Sequence, residues 1–324
     1  SSLAHLLGVT LIGGAVLFGS RGPSPRDAER LAMAAQASGR PKECRGQADG
    51  ARQRRLTIWD RAKQPHLHRY CDLLGRAQAK LDGSPAAARE AARLADQVLP
   101  GMAAPRVIIG RAYVRLRDFD QALRYFHKAR KLDARSIEDP PSLHDLALAQ
   151  RHAGKLPEAM ATYRVLVPRL GLMPAADDRV AVLAEAAALA MARGKAGLDE
   201  ALALLQEARA QPLSKHDPIV LGLLALALDR AGAQQEAEAV LDELHRANLA
   251  GELVSRRTPS EMLAYPGDWD AIVGLVLETT DPAGALAAWK RYAEATPAPV
   301  FAEHAATHID KLRRTAPGAR YRPR

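Results

Sequence analysis

Apolar residues return along this chain at intervals of three and four, and the spacing persists over most of its length. Leu146, Ala149, Ala159, Tyr163 and Leu166 illustrate it; side chains at such offsets share one face of a helix. Alternation with period two, the mark of a half-buried strand, is nearly absent. Gly and Pro fall mostly between the periodic segments. In Asp139-Pro140-Pro141 and Asp217-Pro218 the Asp can accept hydrogen bonds from the first open amides and the Pro fits the first turn. The pattern predicts an all-α chain of helices joined by tight turns.

A second periodicity lies above the first. Gly110 and Tyr113 on one helix are followed by Ala122, Phe126 and Ala129 on the next, and the set recurs. The alanine after each inter-helix turn can be followed as Ala88, Ala122, Ala159, Ala201, Ala237 and Ala285; the first interval is 34 residues and the others are longer. Gly83 and Gly154 mark turns, and Tyr163 takes the aromatic place in the third copy. The fourth copy, from Val182 to Ala208, carries a longer turn through Gly194 and Gly197, and the fifth runs from Pro218 through Gly232 to Leu244. The last has Trp269, Ala285, Trp289 and Pro297. A small residue lets two helices approach closely, and a large one four places later fills the space under the next pair.

In these residues the chain resembles the tetratricopeptide repeat family. The resemblance implies a right-handed superhelical solenoid of about six helix-turn-helix repeats over residues 69–312. A signal or anchor segment with its linker (1–26) and a helical cap (27–68) precede the array, and a basic tail (313–324) follows it. The family receives a partner segment on the first helix of each repeat. Carried over place by place, this gives Lys80, Arg111, Val114, His144, Leu148, Arg151, Leu226 and Asp229, with Arg115 and Arg230 near the rim. Arginines beside leucines suit a protein partner that is both acidic and partly apolar. The family's clamp for a chaperone's terminal carboxylate needs Lys and Asn where this chain has Leu73, Ala77 and Leu74, so that ligand is not expected.

Composition agrees: 48% of the 324 residues are hydrophobic but only 4% aromatic, which suits thin layers of helix on helix. The net charge of +9 is unevenly placed. Residues 1–174 hold 29 basic and 16 acidic side chains, residues 175–300 hold 11 and 19, an asymmetry that can steer partners. A nucleic-acid partner is not expected despite Arg313, Arg314, Arg320, Arg322 and Arg324, because no aromatic residues interleave with the arginines.

Leu3 to Phe18 is an apolar run without Asp, Glu, Lys or Arg. It is shorter than the roughly 20 residues of a spanning helix and fits the core of a secretory signal. Leu17 and Phe18 stand where a cleavage site needs small residues, so an uncleaved anchor with the array facing the periplasm is the favoured expectation. Arg21, Arg26 and Arg30 after the run argue for the alternative, a cytoplasm-facing anchor. The two cysteines, Cys44 and Cys71, read as one disulfide of an exported protein, tying down a capping helix around Leu56, Ile58 and Trp59. Two separate thiols, or a metal set of Cys44, His66, His68 and Cys71, are the alternatives.

No phosphate loop, nucleophile elbow or haem-attachment motif occurs, and no enzyme and no cofactor are expected. His304 and His308 are four apart on a helix but lack the adjacent Glu of a zinc protease, with Ala305 in its place; they are read as two surface histidines, with no metal. Asp177-Asp178, Asp199-Glu200 and Asp242-Glu243 are assigned to capping or solvation. Two functions remain: a membrane-tethered or exported scaffold for assembling an envelope complex, or a cytoplasmic regulatory adaptor whose basic half meets an acidic protein or a nucleic-acid complex.

Overall fold

The computed structural model describes residues 41, 43–44, 58–211, 217–255, 262–295 and 300–315, and of 58–64 and 315 the backbone alone. Among the described residues there are fourteen α-helices and no strand. Six hairpins make up the array: α1 (Ile58–Lys80) with α2 (Pro85–Val98), α3 (Ala104–Arg115) with α4 (Phe119–Leu132), α5 (Pro140–His152) with α6 (Leu156–Leu166), α7 (Ala176–Met191) with α8 (Leu198–Ala210), α9 (Pro218–Arg230) with α10 (Gln234–Arg246), and α12 (Asp268–Leu277) with α13 (Pro282–Ala293). The short α11 (Ala250–Ser255) lies between the fifth and sixth, and α14 (Ala302–Thr315) follows the last. The two helices of each hairpin pack on one another, and first helices lie against first helices, α3 on α5 and α9 on α12. The chain is an all-α solenoid of helical hairpins.

Local chemistry sets where the helices start. Asp118, Asp139, Asp217 and Asp281 each cap a helix by accepting from amides of its first turn, and Pro occupies that turn after the last three. Inside the hairpins, Gly154 and Gly232 stand five residues before their packing alanines at φ 73° and 81°. Arg117 holds the same place before Ala122 at φ 60°, a left-handed conformation a side chain adopts only at a cost.

The alanines that mark the repeat are all inside: Ala88, Ala122, Ala159, Ala201 and Ala285 are wholly buried and Ala237 nearly so. Glycine is needed where an aromatic ring of the second helix meets the first. A Cβ on Gly110 would sit 3.0 Å from the Phe126 ring, and one on Gly274 would sit 2.8 Å from Trp289 Nε1. Second helices such as α4 and α10 bury one stripe, Ala122, Phe126 and Ala129 in the former and Ala237, Val240 and Leu244 in the latter. By contrast α9 is buried almost all round, the state expected of a helix covered on every side.

The first hairpin is tied down by Cys44–Cys71, a disulfide with Cα atoms 5.7 Å apart, and by the buried Tyr70, whose hydroxyl donates to Glu43 at 2.6 Å. With both sulfurs bonded to each other, the Cys-His metal set is excluded. α1 is continuous from Ile58 to Lys80 and so runs across the boundary between residues 68 and 69, where the array was expected to begin. The apolar run 3–18, Leu56 and the tail arginines at 320, 322 and 324 lie outside the described residues, as do the side chains of Ile58 and Trp59. Among the described residues no helix is long and apolar enough to cross a membrane.

Candidate functional site

The ten residues expected to face a partner divide between two environments. On α1, α3 and α5, Lys80 and Arg115 are exposed and His144 and Leu148 half-buried, while Val114 is buried. Arg111 is also buried, at 8% exposure. Its Nε donates to Asp145 Oδ2 of the next hairpin at 2.7 Å, and its Nη1 reaches back to Gln78 Oε1. Arg115 holds the other oxygen of Asp145 and also Asp82 at 3.0 Å. Further along, His144 Nε2 meets Glu185 Oε2 at 2.7 Å, and Tyr163 donates to the same oxygen at 2.8 Å. Polar links thus run from α1 through α3 and α5 to α7, about one repeat apart. The second helices do likewise, Arg164 to Glu200 and Arg209 to Glu243.

These contacts correct the expectation that Arg111 and Arg151 offer charge to a partner's carboxylates. A guanidinium withdrawn from water must be paired, and the pairing groups belong to the chain itself. Arg151 is buried and donates to the carbonyl of Met262, 111 residues away. They also correct the reading of the acidic pairs: Glu200 and Glu243 hold arginines of neighbouring hairpins and do not merely face solvent. Burial raises the cost of charge on His144 and Glu185, yet their mutual attraction prevails, raising the His144 imidazole and lowering the Glu185 carboxyl.

On α7, α9 and α12 the corresponding face is covered. Leu253 of α11 packs beside Gly222, where a Cβ would meet it at 3.4 Å. The segment at Met262 reaches further, onto Arg151 of α5, and Val300 approaches Gly194 in the turn between α7 and α8. Leu226, Asp229 and Arg230, all assigned to partner contact, are buried here. Arg230 donates to Asp268 at 2.6 Å and to the Tyr292 hydroxyl at 2.9 Å, and its guanidinium lies 4.2 Å from the Phe301 ring centroid. Burial pushes the Tyr292 hydroxyl up to about 12, against the opposing pull of Arg230.

Helix α14 completes the cover and overturns the reading of its histidines as surface groups. His308 is 8% exposed and stacks on Trp289 with centroids 4.3 Å apart. Its Nε2 and that of His304 converge on Asp229 Oδ2 at 3.1 and 3.0 Å. On its other side His308 Nδ1 meets Glu278 Oε1, which also accepts from Trp289 Nε1 at 3.0 Å. Burial opposes the charged ring, but hydrogen bonds to Asp229 and Glu278 raise His308 to about 9; Asp229, although buried, falls well below the carboxylate range because both histidines bond to it. A cavity of about 580 Å³ opens beside this cluster, lined by Asp229, Glu278, His304, His308 and Lys311.

No family model matches the chain, and no curated protein matches it. Among solved structures it is similar to a chain in the crystal structure of the APC/C hetero-tetramer Cut9-Hcn1, at 16% identity and a TM-score of 0.41, over 90% of this chain and 56% of that one. The present chain therefore spans little more than half the length of that neighbour.

Sequence reasoning missed the carboxylates. Asp145, Glu185, Asp268 and Glu278 are the partners of the arginines and histidines it singled out. A signal was present: Arg111 and Asp145 stand 34 residues apart, the spacing of the first repeat interval, so an acid one repeat beyond a basic position marks an internal pair.

Proposed function

We propose that the protein is a protein-interaction scaffold whose receiving surface is the face of α1, α3 and α5. The observation that carries this reading is the contrast along the first helices: Lys80, Arg115, His144 and Leu148 retain access to solvent, whereas Leu226, Asp229 and Arg230 are shut off. A partner segment that seats an apolar residue on Leu148 and an acidic one toward Lys80 fits the open part. A photo-crosslinking residue at position 148 should capture a defined partner that one at position 132, on the exposed end of α4, does not. Equal capture from both positions would place binding elsewhere.

The Cys44–Cys71 bond supports an exported scaffold over a cytoplasmic adaptor, since such bonds persist in oxidising compartments. In this reading residues 3–18 tether the array to a membrane with the hairpins on the oxidising side, where it assembles an envelope complex. Thiol alkylation in intact cells tests it: unreactive cysteines until reductant is added support export, and two reactive thiols exclude it.

A further inference from the structure

Asp229, His304 and His308 form a donor set that partner binding does not require. We propose that these three residues hold a divalent cation of the zinc type, which pins α14 onto α9. The i,i+4 spacing places both rings on one face of α14, and α9 brings the carboxylate to them from 79 residues away. Both Nε2 atoms lie 3.0–3.1 Å from one carboxylate oxygen, and the three donor atoms lie within 4.8 Å of one another. Two ligands on a tetrahedral zinc, each about 2.0–2.1 Å from the metal, are about 3.3 Å apart. Both nitrogen–oxygen separations are thus already near the tetrahedral value, and the cation replaces the imidazole N–H groups that otherwise face Asp229.

The surroundings resemble those of a built site. A ligating histidine needs its second nitrogen fixed, and His308 Nδ1 is held by Glu278, itself bonded to Trp289 and to Lys311 at 3.1 Å. Stacking on Trp289 fixes the ring plane. His304 Nδ1 has no hydrogen-bond partner among the described residues, which makes His304 the weaker ligand. Two imidazoles and a carboxylate leave one position of a tetrahedron open, and the adjoining cavity gives water or a small anion access to it.

The tag-free full chain, stripped with chelator, should take up one zinc in a calorimetric titration, and cobalt(II) should give the intense visible bands of tetrahedral coordination. Asp229→Asn and His308→Gln should each weaken zinc binding by more than about a hundredfold, and Glu278→Gln by about ten- to a hundredfold with stoichiometry kept. His304→Ala should have a smaller effect than His308→Gln. No saturable uptake, or affinity unchanged in Asp229→Asn and His308→Gln, would overturn the assignment and leave a clasp held by protons alone. Far-UV circular dichroism establishes that each variant is folded. If the buried positions do not tolerate change, His304→Ala decides: unchanged affinity there rejects the site.

Discussion

The two ends of the array are secured in different ways. At the N-terminal end a disulfide ties Cys44 to α1, hydrogen bonds and ion pairs link α1 through α3 to α5, and Lys80, Arg115, His144 and Leu148 on these first helices keep access to solvent. At the C-terminal end the chain covers its own first helices with α11, the segment at Met262 and α14, and Asp229, Arg230 and Asp268 face inward. The contrast shows how the same hairpin serves as a display surface or as interior, according to what the chain lays across it. It also revises the charge asymmetry of the sequence. Several acids of the second half, Glu185, Asp229 and Asp268, are buried against their own bases, so formal charge overstates the negative surface there.

The sharpest way to break the C-terminal arrangement is Arg230→Ala. It leaves the buried Asp268 without its guanidinium, and losing one partner of a buried pair costs about 3–5 kcal/mol; the shift should appear in urea unfolding followed by circular dichroism. The matching change at the other end is Cys44→Ser with Cys71→Ser. The bond closes a loop with a sequence separation of 27, and the chain-entropy account gives about 3.5 kcal/mol for its removal. A loss near zero in the same unfolding measurement would mean that α1 needs no covalent tie.

Arg111→Ala should cost less, about 1–3 kcal/mol, because Arg115 still holds Asp145. Equal costs for Arg111→Ala and Arg230→Ala would show that the open half has no such redundancy. Reversing Arg111 and Arg151 to Glu together, at positions that resemblance alone places on a binding face, should destabilise the fold, since each new carboxylate is buried where a guanidinium was paired.

Much of the fold was legible because it rests on residues that have few alternatives. Ala122, Gly110 and Phe126 must be small, absent and large for two helices to meet, and Asp139 and Asp217 have an evident task before Pro. The site was less legible because side-chain direction depends on what lies across the helix. Nothing around Leu226, Asp229 and Arg230 announces that α11 and α14 fold over them, and the pairing of His308 with Asp229 depends on a contact 79 residues apart. His304 and His308 were recognised as a pair, but their third member is supplied only by the tertiary fold.

The smallest expected effect tests the seam between the two halves, where His144 of α5 meets Glu185 of α7. His144 is raised above the ordinary 6.5, so its contribution is complete below 6.5 and fades as pH rises through the elevated folded value. Glu185 is lowered below 4.5, so its contribution is complete above 4.5 and fades as pH falls through the depressed folded value. The pair therefore stabilises most between pH 4.5 and 6.5. His144→Gln keeps an amide donor beside Glu185 but loses the charge, and should cost about 1 kcal/mol at pH 6. Measured as the difference in Tm between the two proteins, the loss should shrink as pH is raised toward 9. Tyr163 and Arg151 remain beside Glu185 in both proteins, so the difference isolates the imidazole. A difference that stays constant from pH 6 to 9 would mean that His144 is neutral in the folded chain, and that α5 and α7 are joined by packing without charge.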